Sequence, residues 1–189
     1  TPDEAVGPIQ DAVTAERFSF ETIKDKDAAA RAEATVSQKG YETALRDWTA
    51  DVRSGKGTKD LVAQGQVLYN NAVNAGDYKP SVDILADLIK MSHNGAQVTQ
   101  ANRMLKKLDP QYQLYALERQ AQNISEDIAA KFKKSGFDGI KLNEDLVRQF
   151  HEAKTQEARD AVMDKLKQNV ADQMPSSWRD KWNAWRYLS

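Results

Sequence analysis

Asp109-Pro-Gln-Tyr-Gln-Leu-Tyr-Ala-Leu-Glu-Arg-Gln-Ala-Gln-Asn-Ile-Ser-Glu-Asp-Ile-Ala-Ala-Lys-Phe-Lys-Lys-Ser-Gly136 decides the fold class. Asp109 is an N-cap residue, and Pro110 follows at the first helical position, where a missing N–H is no loss. Leu114, Leu117, Ile124, Ile128 and Phe132 then recur at helical spacing, with charged and amide side chains between them. Ser135-Gly136 closes the stretch. It reads as an amphipathic helix with its start and stop signals in place.

The same grammar extends in both directions. Downstream, Asn143 caps a helix over Glu144–Ala153 carrying Leu146, Val147 and Phe150. Thr155 starts another through Val162, Leu166 and Val170, and Pro175-Ser-Ser opens a last one. Upstream, Ala28 to Arg53 is one long Ala-rich helix with Val36, Tyr41, Leu45, Trp48 and Val52 as its stripe. Gly40 weakens it by about 1 kcal/mol relative to Ala. Ser54-Gly-Lys-Gly57 is a loop, and Thr58 caps a helix striped by Leu61, Leu68, Ala72 and Val73 and ended by Gly76. Lys79-Pro80 places Pro at a first helical position, and Val82, Leu85, Leu88 and Ile89 carry that helix to His93-Asn94-Gly95. Val98, Ala101, Met104, Leu105 and Leu108 mark one more.

About eight helices with short connections predict an all-α fold, either a compact multi-helix bundle or a short irregular helical solenoid. Its expected core is Trp48, Leu68, Leu85, Leu88, Leu105, Leu117, Ile128 and Leu166. Residues 1–27 form an irregular or extended N-terminal segment, with a turn at Val6-Gly-Pro8 and alternation over Arg17–Ile23. Residues 28–189 read as a single α-helical domain.

The chain has 189 residues, enough for a sizeable core, and a net charge of −1, which is no strongly basic nucleic-acid footprint. Residues 1–30 carry seven acids and three bases, a net −4 that leaves the remainder near neutral. There is no cysteine, which excludes disulfides, thiolate catalysis and Cys-based zinc sites and fits a reducing cytosol. No apolar run approaches the roughly 18–20 residues that span a bilayer.

Catalytic chemistry finds no constellation. His151-Glu152 lacks the second His that a metalloprotease helix needs, because position 155 is Thr. His93 sits at a helix end, where it complements the dipole and caps carbonyls. Neither His has a Glu three residues upstream, so the di-metal carboxylate pattern fails. Ser54-Gly-Lys-Gly-Thr58 imitates a phosphate loop without its preceding strand. Glu126-Asp127, Asp83/Asp87 and Glu144-Asp145 read as solvated faces or first-turn acids. The expectation is therefore no enzyme, no metal and no cofactor.

Binding has three candidate features. Leu68-Tyr69, Ala72 and Gly76-Asp77-Tyr78 resemble the middle of a tetratricopeptide repeat, with Ser81 at its small position and Leu85 at its large one. His93 stands where the closing Pro would fall, and no second copy shows at a period of roughly 34 residues, so a lone helical hairpin is expected. Bases mix with aromatic and apolar residues in Arg103-Met-Leu-Lys106-Lys107 and Lys131-Phe-Lys133-Lys134, either as nucleic-acid contacts or as last-turn dipole partners. Finally, Trp178, Trp182 and Trp185 line one face of the last helix, flanked by Arg179, Lys181 and Arg186. Such aromatic area must be buried on something, with at least partial burial on this chain's own core favoured over an external partner, and these six residues form the candidate interaction surface if there is one.

Gly65-Gln-Val-Leu-Tyr-Asn-Asn-Ala-Val-Asn-Ala-Gly-Asp-Tyr78, Tyr112-Gln-Leu-Tyr-Ala-Leu-Glu-Arg119 and Trp182-Asn-Ala-Trp-Arg-Tyr-Leu188 carry a wider resemblance. The chain resembles a helical region of very large multi-domain (polyvalent) proteins of phages and conjugative elements in Gram-positive gut bacteria, where DNA methylase or helicase modules accompany it. The resemblance covers residues 17–189 and transfers no functional residue. It implies a non-catalytic scaffold or interaction module of a mobile-element DNA-processing protein. The start at Thr1 and the aromatic end agree with an excised domain. The implied partners are neighbouring domains of the parent or another protein, in the cytoplasm and without a membrane. The alternative is a nucleic-acid contact module using basic and aromatic helix faces.

Overall fold

Gly40 divides the long Ala-rich stretch. Its backbone adopts φ +81° and ψ 153°, a conformation essentially confined to glycine, so the chain turns there. The expected single helix over Ala28–Arg53 is therefore two, α1 (Lys26–Lys39) and α2 (Tyr41–Arg53). Six more follow: α3 (Lys59–Ala75), α4 (Tyr78–Met91), α5 (Gly95–Lys106), α6 (Pro110–Lys131), α7 (Glu144–Glu152) and α8 (Gln156–Asp172). The computed structural model describes residues 26–56, 59–91, 95–131 and 137–177. Among these the protein is all-α, with no strand. The N-terminal segment, apart from its last two residues in α1, lies outside them, as does Thr58.

Local signals account for the helix ends. The Asp109 carboxylate accepts from Gln111 N at 3.3 Å, Asn143 from Leu146 N at 3.1 Å, and Thr155 from Ala158 N at 3.1 Å. Gly76, at φ +75°, ends α3. Helix α4 opens two residues earlier than expected, at Tyr78, with the Asp77 carbonyl accepting from Ser81 N. Pro80 is thus its third residue, still within the first turn, where its missing N–H breaks no helical bond.

The packing gathers into two compact units, Thr1–Tyr112 and Gln113–Ser189, and the divide falls inside α6. In the first unit α3 is central: α1, α2 and α4 all pack on it, and α5 packs on α4. Trp48 of α2 is the keystone. Its indole Nε1 donates to the Leu61 carbonyl of α3 at 2.7 Å, which satisfies the buried ring's polar atom. Gly65, one turn on, lacks the Cβ that would strike the ring. The second unit sets α7 against α8, with Phe150, Val162, Leu166 and Val170 buried. All eight residues expected in the core are buried, none more than 7% exposed.

Hairpin α1/α2 packs beside the expected hairpin α3/α4. Ala28, Ala32, Val36, Ala44, Trp48 and Val52 are the buried residues of hairpin α1/α2. Matching burial recurs 37 positions on, at Gly65, Tyr69, Val73, Ser81, Leu85 and Ile89 of hairpin α3/α4. The register then continues 36 positions further, where Gly65, Leu68, Tyr69 and Ala72 correspond to buried Ala101, Met104, Leu105 and Leu108. Equivalent interfaces repeat as well, α2 on α3 and α4 on α5. The first unit therefore holds two helical hairpins, α1/α2 and α3/α4, that share a pattern of buried positions, with α5 packed on α4.

Candidate functional site

Trp178, Trp182, Trp185, Arg179, Lys181 and Arg186 all lie outside the described residues, as do His93, Lys133 and Lys134. Of the other basic positions, Lys106 and Lys131 occupy the last turns of α5 and α6, where a cation complements the helix dipole. Arg103 donates to Gln100 at 3.1 Å. His151 is exposed, its ring edge-on to Phe150 at 6.2 Å. Among the described residues no three His, Asp or Glu side chains converge as metal ligands, and no helix is long and apolar enough to cross a membrane.

One acid departs from its expected place. Asp87 is 2% exposed in the middle of α4, not on a solvated face. Helix α4 is packed by α3 and by α5, so nearly its whole circumference is enclosed. Asp87 is engaged there by a polar contact, as a buried carboxylate must be. Glu144 and Asp145 behave as expected: both are exposed first-turn acids, and Asp145 pairs with Arg148 at 3.2 Å. Arg148 also meets Glu152, and the two carboxylates, Asp145 foremost, raise its pKa.

Two surface features go beyond the sequence reading. The first is an open groove of about 280 Å³ between α6 and residues 138–142. Its floor holds Ala121 and Ile140, and Glu118 and Asp138 stand exposed on its walls. The wall segment is clamped by side chains acting as a strand partner would. The Gln173 amide donates to the Lys141 carbonyl at 2.7 Å and accepts from Lys141 N at 3.0 Å, while Asn169 accepts from Asn143 N. Ser125 accepts from Ile140 N at 2.7 Å and donates to the Ala121 carbonyl at 2.8 Å. Its hydroxyl is thus engaged on both sides and ties the wall segment to α6.

The second feature is a set of tyrosines at helix starts. Tyr41 and Tyr78 are the first residues of α2 and α4, and Tyr112 is the third of α6. Gly40 and Gly76 turn the chain just before the first two. The Tyr78 and Tyr112 rings lie 6.2 Å apart at 54°. The Tyr41 hydroxyl is enclosed and meets no hydrogen-bond partner among the described residues. Burial, then the negative charges of Asp77 and Glu42, push its pKa up to about 12. The sequence does hold a signal, since Tyr41 and Tyr78 stand 37 positions apart, but a tyrosine pair is conspicuous only once the hairpins are aligned.

Compared with known protein families, characterised proteins and solved structures, the chain matches none.

Proposed function

We propose that the chain is a non-catalytic helical scaffold or interaction module of a large DNA-processing protein from a phage or other mobile element, working in the cytoplasm. The packed hairpins α1/α2 and α3/α4 carry this reading. Stacked helical hairpins bury a continuous core with few residue types and present long, rigid faces, the architecture of extended binding surfaces. The resemblance to polyvalent mobile-element proteins supports the kind of parent. The partners that follow are neighbouring domains of that parent, or a separate protein.

Cross-linking mass spectrometry on the natural full-length protein tests this. The expected result is cross-links from lysines of the hairpins to another domain or protein, and loss of that association when residues 26–177 are deleted. Catalytic turnover by the isolated chain would overturn the reading. So would tight, steeply salt-dependent binding of duplex or single-stranded DNA, which would favour the nucleic-acid alternative.

A further inference from the structure

Residues 140–143 alternate in the direction of their backbone hydrogen bonds. Lys141 N–H and C=O both meet the Gln173 amide, and Asn143 N–H meets Asn169, so these two residues face α8. Ile140 N–H meets Ser125 on α6 instead. Such alternation marks an extended strand, in which residues two apart turn their backbone polar groups to the same side. Leu142 therefore turns its N–H and C=O the way Ile140 does, towards the groove that both residues line with Glu118, Ala121 and Gln122. Among the described residues the Leu142 N–H, the Leu142 C=O and the Ile140 C=O meet no hydrogen-bond partner. Side chains of α8 thus complete one edge of this strand, and the edge facing the groove is open.

An open strand edge is a template for another extended chain. An antiparallel chain lying in the groove meets Leu142 with one residue, which donates to its C=O and accepts from its N–H. The residue two further on donates to the Ile140 C=O. Ser125 already holds the Ile140 N–H, which closes the ladder there and fixes the register. Side chains of those two partner residues lie on the same face as buried Ile140, over buried Ala121, where small apolar groups fit. A helix has its own N–H groups bonded internally and offers these carbonyls nothing, and a DNA backbone carries no donor for them. We propose that this edge pairs with an extended segment of a protein partner that carries small apolar residues at every second position. The proposal rests on the interaction-module reading and names one surface of the module and the backbone chemistry of its partner.

The test uses the full chain, isotope-labelled, titrated with a capped pentapeptide of alternating serine and valine and with the same peptide N-methylated at both valines. Saturable amide shifts are expected at Ile140, Lys141 and Leu142 with the first peptide, together with slowed hydrogen exchange of the Leu142 N–H. N-methylation keeps the side chains and removes the two main-chain donors, and should weaken binding by about tenfold or more. Glu118→Trp, at an exposed position on the groove wall, should fill the groove and weaken binding to a similar degree while the far-ultraviolet circular dichroism is unchanged. Leu142→Pro removes the N–H donor and gives an independent variant should the first lose its fold. Absence of saturable shifts at these positions, equal affinity for the N-methylated peptide, or full binding by a folded variant overturns the proposal. If the probe fails while cross-links in the natural protein map to the hairpins, the open edge falls and the module reading stands.

Discussion

Gly65→Ala should destabilise the protein, although Ala in place of Gly inside a helix ordinarily stabilises it by about 1 kcal/mol. A Cβ at this position would lie 2.6 Å from Trp48 Cζ2 and 2.7 Å from Leu88 Cδ2, both far inside van der Waals contact. Leu88 ends in a rotatable methyl and can yield. The Trp48 ring cannot, because Nε1 is tied to the Leu61 carbonyl at 2.7 Å and a bond of that kind contributes about 1 kcal/mol. Overpacking of a closed core costs about 1–3 kcal/mol, and two contacts this short place the change at the upper end. Subtracting the helix-propensity gain leaves a net loss of about 2 kcal/mol. Urea unfolding followed by far-ultraviolet circular dichroism measures it. The Trp48→Leu background supplies the control, since there the same Gly65→Ala change should turn neutral or stabilising. A Gly65→Ala protein as stable as the parent in the intact Trp48 background would refute the reasoning.

Gly40→Ala tests backbone strain without crowding, because a Cβ there would meet no atom within 4 Å while φ is +81°; a loss of about 1–3 kcal/mol in thermal or urea unfolding is expected. Tyr41 predicts an alkaline transition. The unfolded phenol loses its proton near 10.0 and the folded one holds it to about 12, so the folded state binds the extra proton in that window and stability falls as pH rises through it. Tyr41→Phe should flatten that part of the stability–pH curve, and an unchanged slope would count against the assignment. Asn143→Ala and Thr155→Ala each remove a cap bond and should cost about 1 kcal/mol by chemical denaturation, additively if the two helix starts are independent.

Helix starts and stops were legible because their causes are local. Asp109, Asn143 and Thr155 each satisfy a backbone N–H two or three residues away, and Gly76 needs only its own freedom of φ. The core was legible for a related reason: an apolar stripe at helical spacing has to be covered by something, whatever that something is. Gly40 marks the limit of this logic. A glycine inside an Ala-rich stretch is compatible with a weakened helix or with a break, and the choice depends on whether packing α1 and α2 separately on α3 gains more than the helical bonds lost at the turn.

The shared burial pattern of the two hairpins lay beyond the sequence because burial recurs while side-chain size does not. Ala28 becomes Gly65, Ala32 becomes Tyr69 and Trp48 becomes Leu85 at equivalent places. Where α2 meets α3, the bulky Trp48 is matched by the missing Cβ of Gly65, so the letters diverge between hairpins while burial recurs. Asp87 is enclosed for the same kind of reason, since its burial is a property of α3 and α5 and not of α4. The Tyr78–Tyr112 contact follows from packing too, as it brings together residues far apart in the chain. Helix class and boundaries thus came from interactions spanning at most a few residues, which a linear chain displays directly. The break at Gly40, the hairpin register and the composition of the surface came from interfaces between helices, whose energies depend on pairs that no single stretch contains.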